Sequence, residues 1–161
     1  MQLIHYTMTT PIDKLSALGL TLPVAPAPAG NYLPFVRLGN TLYLAGTLSL
    51  LADGEQWLGK VGESRSVEDG YAAARTAALN ALAILHAATD GDLSRVRQIA
   101  LVNGFVNAIP GFSESPAVIN GASDFFAAVF GDSGRHARAA VAVAGLPKDA
   151  TVEIQVVVEL F

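Results

Sequence analysis

The stretch SVEDGYAAARTAALNALAILHAATDGD, residues 66–92, constrains the fold more than any other part of the chain. Ser66 and Asp69 form a capping box, acids occupy the first turn, and alanine and leucine then run for about five turns. Such a helix is apolar around much of its circumference, so it cannot lie alone on a surface. It predicts a partner sheet, and its many small side chains predict a close approach to that sheet. His86 falls near the helix C-terminus, where a partly positive imidazole is favourable.

The flanking segments supply the strands. FVRLGNTLYLAG gives two short β runs around Gly39-Asn40, a dipeptide suited to a two-residue hairpin turn. ADGE is a second turn signal, and QWLGKVG, residues 56–62, is expected to form a third short strand. SRVRQIALVNGFVNA predicts a strand from about Arg97 to Asn107, and AVINGASDFFAAVFG a second helix weakened by Gly121. RHARAAVAVAG and ATVEIQVVVELF close the chain as two strands joined by the turn LPKD. At the other end, Thr10, Pro11 and Asp13 start a short helix over about 11–18, ended by Gly19, and LPVAPAPAGN follows as a proline-rich extended connector. The order β-β-(β)-α-β-α-β-β predicts an α/β (α+β) sandwich, a mixed sheet with its helices on one face.

With 161 residues and 52% apolar content, the chain suits a single domain, with residues 1–25 as an N-terminal extension. Only 15% of residues are charged, which predicts that some apolar surface is buried between subunits. The formal charge of −4 offers no basic field for nucleic-acid phosphates, so nucleic acid is not expected as the main partner. The absence of cysteine excludes disulfides and thiolate chemistry and is compatible with a cytoplasmic location. No apolar run approaches the length of a membrane span, MQLIHYTMTT does not read as a secretory leader, and Met8 is an alternative start. His5, His86 and His136 have no metal-ligand spacing, and neither a P-loop nor a dinucleotide fingerprint is present, so no metal or nucleotide cofactor is expected. GDSG at 131–134 echoes the nucleophile region of trypsin-like proteases, but the chain is too short for their double barrel, and the motif reads as a turn.

One charge stands out. In RHARAAVAVAG, strand periodicity puts Arg138, Ala140 and Ala142 on one face and Val141 and Val143 on the other. An arginine beside small residues either faces water or meets an anion. His136, two residues earlier, shares its face if the strand has begun, and either titrates near neutrality or only packs. In the last strand Val152, Ile154, Val156 and Val158 share one face, while Glu153, Gln155, Val157 and Glu159 share the other. The Glu153 carboxylate is a base, an ion-pair partner, or merely solvated.

YLPFVRLGNTLYLAGTL and ARAAVAVAGLPKDATVEIQVVVE, with the helix, strand and helix between them, resemble the Rid (YjgF-type) family of reactive-intermediate imine deaminases, some of whose members carry the endoribonuclease L-PSP label. The resemblance covers about residues 26–161 and is sharpest where Arg138 is followed by Leu-Pro and, fifteen residues on, by Glu153. It implies a chorismate-mutase-like fold and a homotrimer with its sites in clefts between subunits. The implied substrates are small unstable enamine or imine carboxylic acids, and no cofactor is implied. It further implies that Arg138 binds the substrate carboxylate and Glu153 positions water, with Tyr32, Gly46 and Asn120 completing the site. The chain departs from the family at Ala139-Ala140, where Ser-Cys is common, and at Thr47, where glutamine is common. A non-catalytic trimer that binds a small carboxylate is the rival expectation, and a ribonuclease or translation inhibitor is the third.

Overall fold

The computed structural model describes residues 9–161; His5 and the alternative start at Met8 lie outside the described residues. Helix α1 spans Pro11–Ala17 and carries the expected capping box, with the Thr10 amide donating to Asp13 Oδ2 at 2.8 Å. It packs against a later helix, α3 (Ser115–Phe130), and buries Leu15. Helix α2, Val67–Ala88, is capped by Ser66 as the sequence predicts, with Asp69 returning the bond to the Ser66 amide.

The strands are β1 (Phe35–Leu38), β2 (Thr41–Leu44), β3 (Thr47–Leu48), β4 (Val96–Asn107), β5 (Ala137–Val143) and β6 (Val152–Leu160). They form one mixed sheet in the order β1-β2-β6-β4-β5, with β3 also pairing β6. The β4–β5 pair is parallel and the rest are antiparallel. The β1–β2 turn uses Gly39 at φ 59°, the positive value that a mirror-image hairpin turn requires at its first central residue. The third strand is not where the sequence placed it. Residues 56–62 contribute only isolated bridges, among them Leu58 to Ala150 and Val61 to Ala108, while the two residues of β3 take the ladder position beside β6.

Burial alternates along the sheet. Val102, Gly104 and Val106 of β4, the four even-numbered residues of β6 from Val152 to Val158, and Leu42 and Leu44 of β2 face α2 and α3 and are buried. The helices approach closely because small residues meet them. A Cβ on Gly104 would strike Ile119 of α3, and one on Gly121 would reach the Tyr71 carbonyl carbon at 2.8 Å. Gly121 therefore does not merely weaken its helix; it sets the distance between α2 and α3.

The other face of the sheet is not covered by these helices. Register aligns Val36, Tyr43, Val157 and Leu101 in one row across four strands. Val36, Leu38, Tyr43 and Val141 are between 45% and 63% exposed, an apolar sheet face without an intramolecular partner among the described residues.

Candidate active site

Glu153 projects from β6 onto the uncovered face, opposite Leu48 of β3 and Phe105 of β4. Between β2 and β3 the chain leaves the ladder at Ala45-Gly46, which opens space over the carboxylate. A Cβ on Gly46 would overlap Glu153 Oε1 and lie 3.1 Å from Cδ, and Gly46 is outside the left-handed region, so glycine is needed there for space alone. The resulting cavity, about 370 Å³, is lined by Glu153, Gly46, Thr47, Tyr32, Asn80 and Lys148, with the proline-rich connector at Pro26–Ala29 as one wall. Tyr32 ties that wall down: its hydroxyl accepts the Ala29 amide at 3.1 Å. Asn80 shapes the opposite side by donating to the Leu48 and Leu50 carbonyls at 2.9 and 2.8 Å. Partial burial pushes the Glu153 carboxyl above its ordinary value.

Arg138 occupies a second cavity, about 420 Å³, with Asn120, Ser123 and Asp124 of α3 and with Arg135 and His136. Its Nη1 donates to Asn120 Oδ1 at 2.8 Å and to Ser123 Oγ at 3.1 Å. Both partners are neutral, and none of the ion pairs among the described residues includes Arg138. The guanidinium is thus oriented without being neutralised, which leaves its remaining N–H groups for an anion. His136 is half-buried, bonded to Ser123 Oγ through Nε2 at 3.0 Å and to the Gly134 carbonyl through Nδ1 at 2.7 Å. Burial pushes its pKa below the ordinary imidazole value, opposed by the bond to the Gly134 carbonyl and aided by the Arg138 charge.

These two half-sites do not meet within one chain. Arg138 pairs with Val102, whose side chain is buried under the helices, whereas Glu153 pairs with Phe105, an odd number of residues farther along β4. Directly paired residues share a face and odd steps change it, so Arg138 and Glu153 lie on opposite faces of the sheet.

A family model described as "YjgF/chorismate_mutase-like, putative endoribonuclease" matches residues 12–160. The chain belongs to the YjgF/chorismate-mutase-like family. Protein TCP17 of Trypanosoma cruzi is 46% identical over 91% of this chain and 92% of that relative. A 2-iminobutanoate/2-iminopropanoate deaminase of Dermatophagoides farinae is 30% identical over 86% of this chain and 93% of its own length. Among solved structures, Atu1372 of Agrobacterium tumefaciens, described as of unknown function, aligns with a TM-score of 0.88 at 45% identity, covering 94% of this chain and 92% of that one. The resemblance seen in the sequence and its fold class are thereby established.

Against the YjgF-type pattern expected from sequence, the structure gathers Tyr32, Gly46 and Glu153 around one cavity and Asn120, His136 and Arg138 around another. Ala140 lines neither; it faces α3 and packs against the core. Thr47 does line the Glu153 cavity, although its hydroxyl is committed to the Ala77 carbonyl of α2 at 3.1 Å. Sequence reasoning missed Ser123, Asn80 and Lys148. Ser123 had a usable signal, since it lies one helical turn after Asn120 and so shares its face. Among the described residues no three histidine or acidic side chains gather as metal ligands, and no helix is long and apolar enough to cross a membrane.

Proposed function

We propose that the protein hydrolyses small enamine or imine carboxylic acids to 2-oxo acids and ammonia, in clefts between subunits of a homotrimer. The observation that carries this reading is the Arg138 guanidinium, held in place by neutral oxygens and left without a carboxylate partner. A substrate carboxylate supplies that partner through two parallel charge-assisted hydrogen bonds, a geometry that lysine cannot reproduce. Because the half-sites lie on opposite faces, one subunit provides Arg138 and Asn120 and a neighbour provides Glu153, Tyr32 and Gly46. The apolar row on the uncovered sheet face supports such an assembly.

Once the enamine has tautomerised, C2 of the iminium is electrophilic. Water adds to C2 as Glu153 takes its proton; the C=N π pair moves to nitrogen, and a carbinolamine results. Its raised pKa lets Glu153 hold that proton and return it to the departing amine. The test is direct: generate 2-aminoacrylate in the presence of the protein and follow its disappearance. Wild type is expected to accelerate decay and Arg138→Ala to match buffer; a wild type that also matches buffer refutes the reading.

Ala139-Ala140 favours a second reading, since neither residue brings a polar side chain to the strand that bears Arg138. A non-catalytic trimer would be stabilised against heat by small carboxylates through Arg138, without turnover. RNA cleavage, named in the family description, is disfavoured by the formal charge of −4.

A further inference from the structure

We propose that Ser123 and His136 form a proton relay beside Arg138, the second acid–base element of the deamination, acting opposite Glu153. This rests on the deaminase reading above. For a neutral ring the bond pattern leaves one arrangement. A carbonyl can only accept, so the 2.7 Å contact with Gly134 O requires a proton on His136 Nδ1. In the neutral ring Nε2 is then an acceptor, and Ser123 Oγ, 3.0 Å away, donates into it. The same oxygen accepts from Arg138 Nη1 at 3.1 Å, which leaves its second lone pair for the cavity. Phe126 meets the imidazole edge-on, with centroids 6.0 Å apart and planes at 89°, and fixes the ring.

The charged groups around the ring fit this role. Arg138 comes from β5 and opposes an imidazolium. Arg135, which precedes the ring in sequence, pairs with Asp132 at 3.7 Å. Asp124, the acid that α3 brings to the cavity, is held by the Tyr71 hydroxyl at 2.8 Å. From β4, Gln98 contributes only a neutral amide, bonded to the Arg135 carbonyl. No carboxylate therefore holds the imidazole protonated, and burial keeps it neutral and able to accept a proton.

Ser123 Oγ lies 3.1 Å from Nη1 of the guanidinium that anchors the carboxylate, and the relay requires the bound substrate to turn C2, the carbon next to its carboxylate, toward that oxygen. In the second half of the reaction, the proton of the carbinolamine hydroxyl passes to Ser123 Oγ while the serine proton passes to His136 Nε2. The oxygen lone pair closes the C=O bond as the C–N bond breaks. The amine leaves as ammonia, having received the proton that Glu153 took from water, and the imidazolium returns its proton to solvent. Iminium and water thus give oxo acid, ammonia and one proton, and the protein is restored.

The experiment compares wild type, His136→Gln and Ser123→Ala across pH 4.5–8 on imines generated from alanine. The relay predicts that kcat falls about 10²-fold in both variants while KM changes little, because Asn120 still orients Arg138. It also predicts that the wild-type acid limb carries two ionisations, those of Glu153 and His136, and that His136→Gln loses the second and keeps only the limb set by Glu153. A rise in KM with kcat and the limb unchanged overturns the relay and makes the pair a positioning device only. If His136→Gln does not fold, Ser123→Ala carries the kcat comparison. A wild type without turnover defeats the deaminase reading itself, an outcome distinct from active variants.

Discussion

If each site is shared between subunits, two inactive variants must be able to repair one another. In one chain Arg138 and Glu153 stand two strands apart and three residues out of register, a Cα separation of about 14 Å with side chains on opposite faces. No three-carbon acid bridges that gap. Arg138→Ala removes two charge-assisted bonds of about 1.5–3 kcal/mol each, a loss of roughly 10²- to 10⁴-fold in kcat/KM. Glu153→Gln removes the group that takes the water's proton. When the two are unfolded together in equal amounts and refolded, a site works only where a subunit with Arg138 adjoins, in the right order, one with Glu153. Each condition is met half the time, so about one quarter of wild-type activity per chain returns, whatever the number of subunits in the ring. Imine decay before and after mixing measures it. If the mixture stays at the sum of its inactive parents, each chain contains its own complete site and the opposite-face argument is wrong.

Other perturbations test separate parts of the structure. Gly46→Ala should fold normally yet swing the Glu153 carboxylate by about 1 Å and lower kcat by roughly 10²-fold, checked by steady-state kinetics alongside circular dichroism. The raised Glu153 pKa means that the folded state binds its proton more tightly than the unfolded one. That contribution is full below the ordinary carboxyl range and is lost as pH rises through the folded value; Glu153→Gln should flatten this loss in urea melts taken from pH 4 to 7. Gly121→Ala drives a methyl into the Tyr71 backbone and should cost about 1–3 kcal/mol in the same assay, whereas Ser66→Ala, which removes the α2 cap, should cost about 1 kcal/mol.

What was legible in the sequence was local chemistry. Capping residues located α1 and α2 because their signals act within three positions, and strand parity put Arg138 and Ala140 on one face. The third strand was misplaced because residues 56–62 carry apolar strand-like residues, while only pairing with a distant β6 decides which segment joins the ladder. Gly121 appeared as a helix defect because its reason, the Tyr71 carbonyl, lies fifty residues away. The same distance problem hid the site's division. Arg138 and Glu153 were identified together by resemblance, but their opposite faces follow from the shared register with β4, which no local pattern encodes. Ser123 and His136 meet only because α3 packs beside β5.

The position of β6 has a consequence for how the chain is made. This strand holds nine of the last ten residues, yet it lies between β2 and β4 and also pairs β3. Until those residues have been synthesised, β2 and β4 have no common neighbour and the sheet exists as two fragments with open edges. Completion of the sheet thus waits until β6 has been synthesised, with apolar strand edges open meanwhile, the condition under which nascent chains aggregate or engage chaperones. A stop codon before Val152 would therefore remove the centre of the sheet, not trim its end, and should leave no soluble product.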